Sequence, residues 1–203
     1  IATMLLFLVP GQKISWIRGI ANTAAVLSFV LSVWVFVNYD ADMGGYQFID
    51  KISWVPLMGI SYHVGVDGIN SVLVLLQGFC SLAGVLLTRS VTKRVKEYYI
   101  LYLLLVVGVY GVFLSLDIFF FYFFYEMAVI PVYLLIGIWG STNKEYATMK
   151  LTLYLTAGAV LALIALLAFY FATGLGTFDL VLIQQHLANH PIPLHVQNWI
   201  FPV

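Results

Sequence analysis

The stretch from Tyr98 to Gly140 constrains this chain most, because its only charged residues are Asp117 and Glu126. An α-helix crosses the roughly 30 Å hydrocarbon layer of a bilayer with about 20 apolar residues. The stretch is about twice that length, so it must form two membrane spans. Asp117 stands in the middle, where it predicts a very tight turn and can cap the second helix with its carboxylate.

Similar uncharged runs recur along the chain and predict an all-α protein, a polytopic transmembrane helix bundle. The composition agrees, since 63% of the 203 residues are hydrophobic and 9% are charged, against roughly one quarter charged in soluble domains. The first run has the pattern of the second half of a helix, so we interpret 1–203 as the N-terminal part of one transmembrane domain. The predicted helices lie at about 1–10 (truncated), 19–37, 69–88, 98–116, 118–139 and 150–173.

The charged loops predict how this bundle is oriented. Eight of the nine Lys and Arg residues fall on one side of the predicted topology, and Lys51 alone falls on the other. Such a bias places the basic side in the cytoplasm, matrix or stroma. A bacterial cytoplasmic membrane is the favoured location, with the mitochondrial inner or thylakoid membrane as alternatives. We interpret the basic segment 89–97 as a solvated topogenic loop, with lipid head-group binding as the alternative.

Two long loops, 38–68 and 174–203, are predicted on the outer face. The segments YQFIDKISW and ISYHVGV in the first loop are consistent with a short strand pair that lies over the helix ends. The second loop contains TFDLVLIQQHLANH, which favours a short surface helix capped by Thr177 and stopped by Pro191.

The histidines of these loops carry weaker signals. The spacing of His186, His190 and His195 is compatible with a metal site. We nevertheless predict no metal, because Pro191 breaks the helix and no carboxylate or thiol joins the three imidazoles. His63 is interpreted as a hydrogen-bonding loop residue and not as a proton carrier.

Glu126 is predicted to lie deep in the bilayer, roughly 12 to 14 Å along its helix from Asp117. An isolated charge at that depth costs at least about 2.5 kcal/mol, so the side chain should face a protein or water interior and meet a partner. Tyr122 and Tyr133 share its helical face, and Pro131 frees a backbone carbonyl one residue from the carboxyl group. These features favour a carboxyl group beside which water or a cationic side chain can dock. The alternative is a neutral glutamic acid that holds helices together, with Pro131 only packing.

Lys150 is the second charged residue that could have a functional role at the membrane. It opens the helix predicted at 150–173, whose small residues allow close approach of another helix. Snorkelling of its side chain to the membrane surface is the alternative explanation. Within this sequence Lys150 is the one base that could pair with Glu126, and otherwise the partner lies beyond Val203.

Four stretches make the chain similar to a known family: SYHVGVDGINSVLVLL, FLSLDIFFFYFFYE, MAVIPVYLLIGIWG and YATMKLTLYLTAG. They closely resemble the antiporter-like M subunit of respiratory complex I, the bacterial counterpart of mitochondrial NADH dehydrogenase subunit 4. The resemblance covers nearly all 203 residues in order. It implies a larger helical subunit with two inverted repeats, which is a general device of membrane transporters.

The resemblance also implies roles for single residues. Glu126 matches the glutamate that pairs with a broken-helix lysine and modulates its proton affinity, and that lysine lies beyond Val203. Lys150 matches the family's lysine near the start of the sixth helix. Asp67 and Asp117 match motif positions for which N-capping is a sufficient explanation.

The function that the resemblance implies is proton translocation, as a non-redox subunit of an NADH (or ferredoxin):quinone oxidoreductase. The chain has no Gly-rich nucleotide turn and no cysteine set, so flavin, iron–sulfur clusters and quinone are expected in partner subunits. The expected partners are the L- and N-type membrane neighbours, the peripheral redox arm and lipid, but no nucleic acid. The alternatives are a subunit of a multisubunit Na⁺/H⁺ antiporter or membrane-bound hydrogenase, and a passive membrane scaffold.

Overall fold

The computed structural model describes residues 1–200, which form α-helices and one β-hairpin. The helices are α1 (Ala2–Leu8), α2 (Ile14–Asn38), α3 (Gly68–Leu87), α4 (Val95–Leu114), α5 (Ile118–Trp139), α6 (Lys144–Thr173), α7 (Leu180–Asn189) and α8 (Leu194–Ile200), and the strands are β1 (Gln47–Val55) and β2 (Ile60–Val66). Helices α2 to α6 are each long and apolar enough to cross a membrane. The predicted transmembrane helix bundle is therefore confirmed, and the chain is an integral membrane protein.

Three of the long helices begin earlier than the sequence predicts. α2 begins at Ile14 instead of 19, α4 at Val95 instead of 98 and α6 at Lys144 instead of 150. The predicted starts leave out Arg18, Lys96 and Lys144, but long cationic side chains near a helix start reach out of the apolar layer to polar groups. Lys144 shows this, since its Nζ donates to the carbonyl of Ile138 at 2.9 Å. The other helix bounds agree with the prediction within two residues.

The end of the bundle that carries the loops before α2, α4 and α6 is the basic face. Side chains tie these loops together by donating to backbone carbonyls. The guanidinium of Arg18 donates to Arg89 O at 2.9 Å and Val91 O at 3.0 Å, and the Trp139 indole N–H donates to Lys93 O at 2.8 Å. The basic segment 89–97 is thus anchored to α2 and α5.

Helices α4 and α5 pack closely because α4 has glycines at the contact. A Cβ on Gly108 would stand 2.9 Å from the Cβ of Ala128, and one on Gly111 would stand 2.2 Å from the ring of Phe124. Small residues at such positions let the backbones of two membrane helices approach. A separate buried cluster near the basic face contains residues from each of the helices α1, α2, α3 and α4. Its members are Leu6, Ile17, Ala21, Ala25, Val85, Val95, Tyr99 and Leu103.

The opposite end of the bundle, the hairpin face, carries the β-hairpin, the α4–α5 turn and the start of α7. β1 and β2 pair antiparallel with Lys51 opposite His63, so the strand pair that the sequence suggests is confirmed. The α4–α5 turn lies between the hairpin and α7, since Leu116 N donates to His63 O and Leu180 N donates to Leu116 O, both at 2.8 Å. The three segments therefore form one backbone-bonded layer.

The surface helix predicted from TFDLVLIQQHLANH is present as α7, but its cap differs from the prediction. The N-cap is Asp179, whose carboxylate accepts from the first-turn N–H groups. Thr177 lies outside the helix, where its hydroxyl accepts from Asp179 N at 3.2 Å and donates to Gly59 O at 3.3 Å. Aspartate, which carries a full charge, is the stronger ligand for the helix N-terminus. The helix ends at Asn189, before Pro191, as predicted.

Candidate functional site

Glu126 places an unpartnered carboxyl oxygen inside α5. Its Oε1 is buried and has no hydrogen-bond partner among the described residues, and no ion pair within residues 1–200 includes it. The residue lies about 12 Å along the helix from Ile118. Buried polar groups almost always have a partner. An acidic group with an unpaired oxygen at this depth is a candidate for binding a proton or a cation.

The two tyrosines predicted to share the face of Glu126 have different surroundings. The Tyr122 hydroxyl donates to the carbonyl of Ala159 on α6 at 3.3 Å. Tyr133, by contrast, is 43% exposed. Tyr122 therefore sets the approach of α5 to α6 one turn from the carboxyl group, whereas Tyr133 is open to whatever surrounds α5.

Pro131 lies inside α5, and the helix continues through it from Ile118 to Trp139. The residue is fully buried. Its ring has no N–H to donate to the carbonyl of Met127, the residue next to Glu126. The burial favours a packing role and the freed carbonyl favours a functional one, so both interpretations of Pro131 remain predictions.

Lys150 makes no ion pair with Glu126 within residues 1–200. The contact of Tyr122 with α6 and the packing of Gly137 against Thr148 show the antiparallel register of α5 and α6. This register separates Lys150 from the level of Glu126 by about 8 to 14 Å along the helix axes.

The surroundings of Lys150 agree with this separation. The residue is exposed, and its Nζ lies 5.9 Å from the centre of the Tyr146 ring, on its own helix. The prediction that Lys150 is the first residue of its helix is wrong. Lys150 lies inside α6, which begins at Lys144.

The part of α6 level with Glu126 contains small residues that are open to the outside of the helix pair. Thr156, Ala157 and Gly158 are all exposed, and a Cβ on Gly158 would meet no atom within 4 Å. α6 is also the least covered long helix, since 6% of its most apolar window is buried against 28% in α3 and α4. Another helix can approach α6 closely along these residues.

A second group of charged residues, which the sequence analysis missed, lies at the hairpin face. Asp179 is 1% exposed, and its Oδ2 lies 2.5 Å from Lys51 Nζ and 3.0 Å from His63 Nδ1. Its Oδ1 accepts from Val181 N at 2.9 Å and Leu182 N at 3.3 Å. Both oxygens are therefore occupied, one by cation and imidazole and the other by the helix N-terminus.

This arrangement keeps Asp179 ionised. Burial alone would raise the pKa of Asp179, but the hydrogen bond from Lys51, with the N–H of Leu182, holds that pKa below its ordinary value. A carboxyl pKa that is lowered by folding stabilises the folded state above the unfolded pKa. This stabilisation is lost only as the pH falls through the lowered value.

The Asp117 carboxylate also accepts backbone hydrogen bonds with both oxygens, but it forms no ion pair with a described cation. Its Oδ1 accepts from Phe119 N at 3.0 Å and Phe120 N at 3.2 Å, and its Oδ2 accepts from Ser61 N at 2.9 Å. Burial raises the pKa of Asp117, and the hydrogen bonds from Ser61, Phe120 and Phe119 offset this only in part. Two neighbouring buried carboxyl groups thus have pKa values shifted in opposite directions.

The remaining residues singled out from the sequence lie at caps and on α7. Asp67 is the N-cap of α3, where its carboxylate accepts from Asn70 N at 2.7 Å. The rings of His186 and His190 stack with centroids 4.8 Å apart, and the side chain of His195 lies outside the described part. Among the described residues no three His, Cys, Asp or Glu side chains are grouped so that they could hold a metal ion.

Comparison with known proteins relates the chain to one family. Residues 115–200 match the family described as NADH:quinone oxidoreductase/Mrp antiporter, transmembrane. The chain is 34% identical over 199 residues to NADH-quinone oxidoreductase subunit M of Rickettsia conorii, which covers 96% of the chain and 40% of that protein. It is 34% identical over 197 residues to NAD(P)H-quinone oxidoreductase chain 4-2 of a Synechocystis species, covering 97% of the chain and 35% of that protein.

The fold is also found in a solved structure. The chain is similar to a chain of respiratory complex I from Thermus thermophilus with bound NADH, with a TM-score of 0.77, 24% identity, and coverage of 100% of this chain and 42% of that one. The similarity shows a shared fold. The chain spans about 40% of the length of the curated relatives described above.

Proposed function

Because the chain is a homologue of NADH-quinone oxidoreductase subunit M and carries the family's transmembrane domain at residues 115–200, we propose that it is a proton-translocating membrane subunit. It works in a redox-driven NADH (or ferredoxin):quinone oxidoreductase, in the bacterial cytoplasmic membrane. Its partners are the L- and N-type antiporter-like subunits and the peripheral redox arm. Flavin, iron–sulfur clusters and quinone belong to partner subunits, and this chain carries no redox cofactor.

The observation that carries the proposal is the buried Oε1 of Glu126, which lacks a hydrogen-bond partner among the described residues. A helix-packing glutamic acid would use its hydrogen-bonding capacity on a neighbouring helix, since an unsatisfied buried group costs about 1 to 3 kcal/mol. The small residues of α6 at the same level allow a further helix to approach α6 closely. This combination supports a binding site that a group outside the described residues completes. It does not support a contact that only holds α5 and α6 together.

The mechanism follows from the electrostatics of such a site. As a carboxylate, Glu126 stabilises a protonated lysine that a neighbouring helix brings beside it. When the two groups separate, or when the carboxylate takes up a proton, the proton affinity of that lysine falls and it releases its proton. A change of helix position driven by the redox partners thus becomes a proton movement.

Lys150 has a separate place in this proposal. Its position about 8 to 14 Å from the level of Glu126, toward the basic face, excludes a direct pair in the described arrangement. An exposed ammonium group there would act on protons as they reach or leave the membrane interior from the basic face. Its effect on turnover is therefore smaller than that of Glu126.

A cation antiporter subunit is the second candidate, because the description of the matching family names both the oxidoreductase and the Mrp antiporter. A Glu126 site in such a protein would exchange Na⁺ for H⁺. The relatives that cover nearly the whole chain carry oxidoreductase names, which supports the first proposal. Dependence of turnover on Na⁺ at constant pH would favour the antiporter.

The test is a Glu126→Gln variant of the full-length chain in its purified complex. The amide keeps the shape but cannot bind or lose the proton, so the complex should assemble while proton uptake into vesicles, and quinone reduction coupled to it, fall by about ten-fold or more. Lys150→Met should lower both rates by less.

The matched control is Glu145→Gln, which neutralises an exposed glutamate in the first turn of α6. This variant should keep the wild-type rates. A fully assembled Glu126→Gln complex that pumps as fast as the control would contradict the proposal and leave the helix-packing interpretation.

A further inference from the structure

Three ionisable side chains meet at the hairpin face, those of Lys51, His63 and Asp179, and the backbone of Asp117 lies beside them. Lys51 on β1 and His63 on β2 are cross-strand partners, and Asp117 before α5 pairs by its backbone with Asp179 before α7. His63 is 5% exposed and each aspartate is 1% exposed, whereas the Lys51 side chain is 45% exposed. Asp50, the other charged residue of β1, is exposed and makes no ion pair with a described residue.

His63 contacts one carboxylate, since its Nδ1 lies 3.0 Å from Oδ2 of Asp179. The hydrogen bond from Lys51 holds the pKa of that carboxyl group low, so it can accept from a protonated imidazole. Histidine is the side chain that ordinarily changes charge between about pH 5 and 8.

We propose that His63, Lys51 and Asp179 form a proton-binding site at the hairpin face, and that a proton bound by His63 tightens the hairpin against α5 and α7. The imidazole is held through Nδ1 by Asp179 at 3.0 Å, so the incoming proton binds at Nε2. It comes from the water at the hairpin face, and no other covalent bond forms or breaks. The result is an imidazolium that donates to a carboxylate.

The direction of the effect follows from the hydrogen bonds. A bond between two charged groups is roughly twice as strong as one between neutral groups. Asp179 stays ionised across this range because Lys51 holds its pKa low. The raised pKa of Asp117 acts in the same direction, since a carboxyl pKa raised by folding makes the folded state less stable as the pH rises through it. Lower pH therefore strengthens the hydrogen bonds of the layer. Because His63 and Asp117 both act in this direction, variants are needed to tell their contributions apart.

The consequence reaches the membrane-spanning part of the chain. Asp117 caps α5 with one oxygen and holds Ser61 of β2 with the other, so the hairpin layer positions the first turn of the helix that carries Glu126. A proton bound at this face thus changes how firmly that helix is anchored. The inference does not depend on proton pumping, because the site is defined by contacts in the resting chain.

The test is hydrogen–deuterium exchange of the resting, purified complex with the full-length chain, read by mass spectrometry. Protection of the amides in 60–66, 115–118 and 177–184, corrected for the intrinsic exchange rate, should be about five-fold higher near pH 6 than near pH 8. His63→Gln, which keeps a donor for Asp179 but does not titrate, should remove this difference. His63→Asn serves the same purpose should the glutamine variant not assemble.

Two further variants decide which group binds the proton. His190→Gln, at an exposed histidine on the same face, should keep the five-fold difference. Asp117→Asn, which still caps α5, should keep most of it. A pH-independent wild type would overturn the proposal, and so would a dependence that survives in the His63 variants or disappears in Asp117→Asn.

Discussion

Glu126 and Asp179 are both acidic, but the chain completes the surroundings of only one of them. The Oδ2 of Asp179 meets Lys51 and His63, and its Oδ1 caps α7. The Oε1 of Glu126 is buried with no described partner, although insertion of an unpaired charge in a membrane helix costs at least about 2.5 kcal/mol. The difference separates a carboxylate that holds segments together from one that requires a partner or a proton.

The two sites also differ in how they are built. The Asp179 site gathers groups from two strands and a helix N-terminus in one backbone-bonded layer. Glu126 lies on one helix, opposite small residues of a neighbour that is itself little covered. A change at Asp179 should therefore affect stability first, whereas a change at Glu126 should affect turnover first.

The largest effect on stability is expected from Asp179→Asn. The amide still caps α7, but it loses the ionic bond to Lys51 and the stronger acceptor for His63, at a cost of about 1 to 3 kcal/mol. The thermal midpoint at which the purified complex loses this chain should fall clearly below that of the wild type.

Two variants serve as comparisons for this loss. Asp50→Asn, on the same strand but exposed, should change stability by less than about 0.5 kcal/mol. Glu126→Gln should leave the midpoint unchanged as well. If Glu126→Gln lowers the midpoint as much as Asp179→Asn does, Glu126 is a structural residue and the contrast between the two sites is wrong.

A smaller effect is expected from Pro131→Ala. The alanine restores an N–H donor for the carbonyl of Met127, so assembly should be kept while turnover slows by a few-fold. Quinone reduction by the purified complex measures it, with Pro191→Ala at the exposed end of α7 as the control. Turnover equal to that of the control would show that Pro131 only packs α5 against its neighbours.

Features that depend on neighbouring residues were predictable from the sequence. The five membrane helices follow from uncharged runs, and the capping positions of Asp67 and Asp117 follow from an acidic residue directly before such a run. The strand pair also follows from a local pattern. The starts of α2 and α6 were misplaced because Arg18 and Lys144 lie inside these helices and donate to carbonyls of other segments, and an uncharged run does not indicate such contacts.

The Asp179 site was not predictable for a similar reason. Its partners Lys51 and His63 stand 128 and 116 residues away in sequence, so only the fold brings them together. Asp179 itself could have been preferred to Thr177 as the cap, because an ionised side chain also favours the helix N-terminus. For Glu126 the sequence indicated a buried acid in need of a partner, and within residues 1–200 no ion pair joins it to Lys150.

The central claim is that Glu126 changes its protonation state as the complex works. Infrared difference spectroscopy of the purified complex, between the resting and the NADH-reduced state, detects this through the C=O stretching band of a protonated carboxyl group. The account predicts a band of this kind that is present in the wild type and in Glu145→Gln and absent in Glu126→Gln. The same band in all three proteins, or none in the wild type, would contradict it.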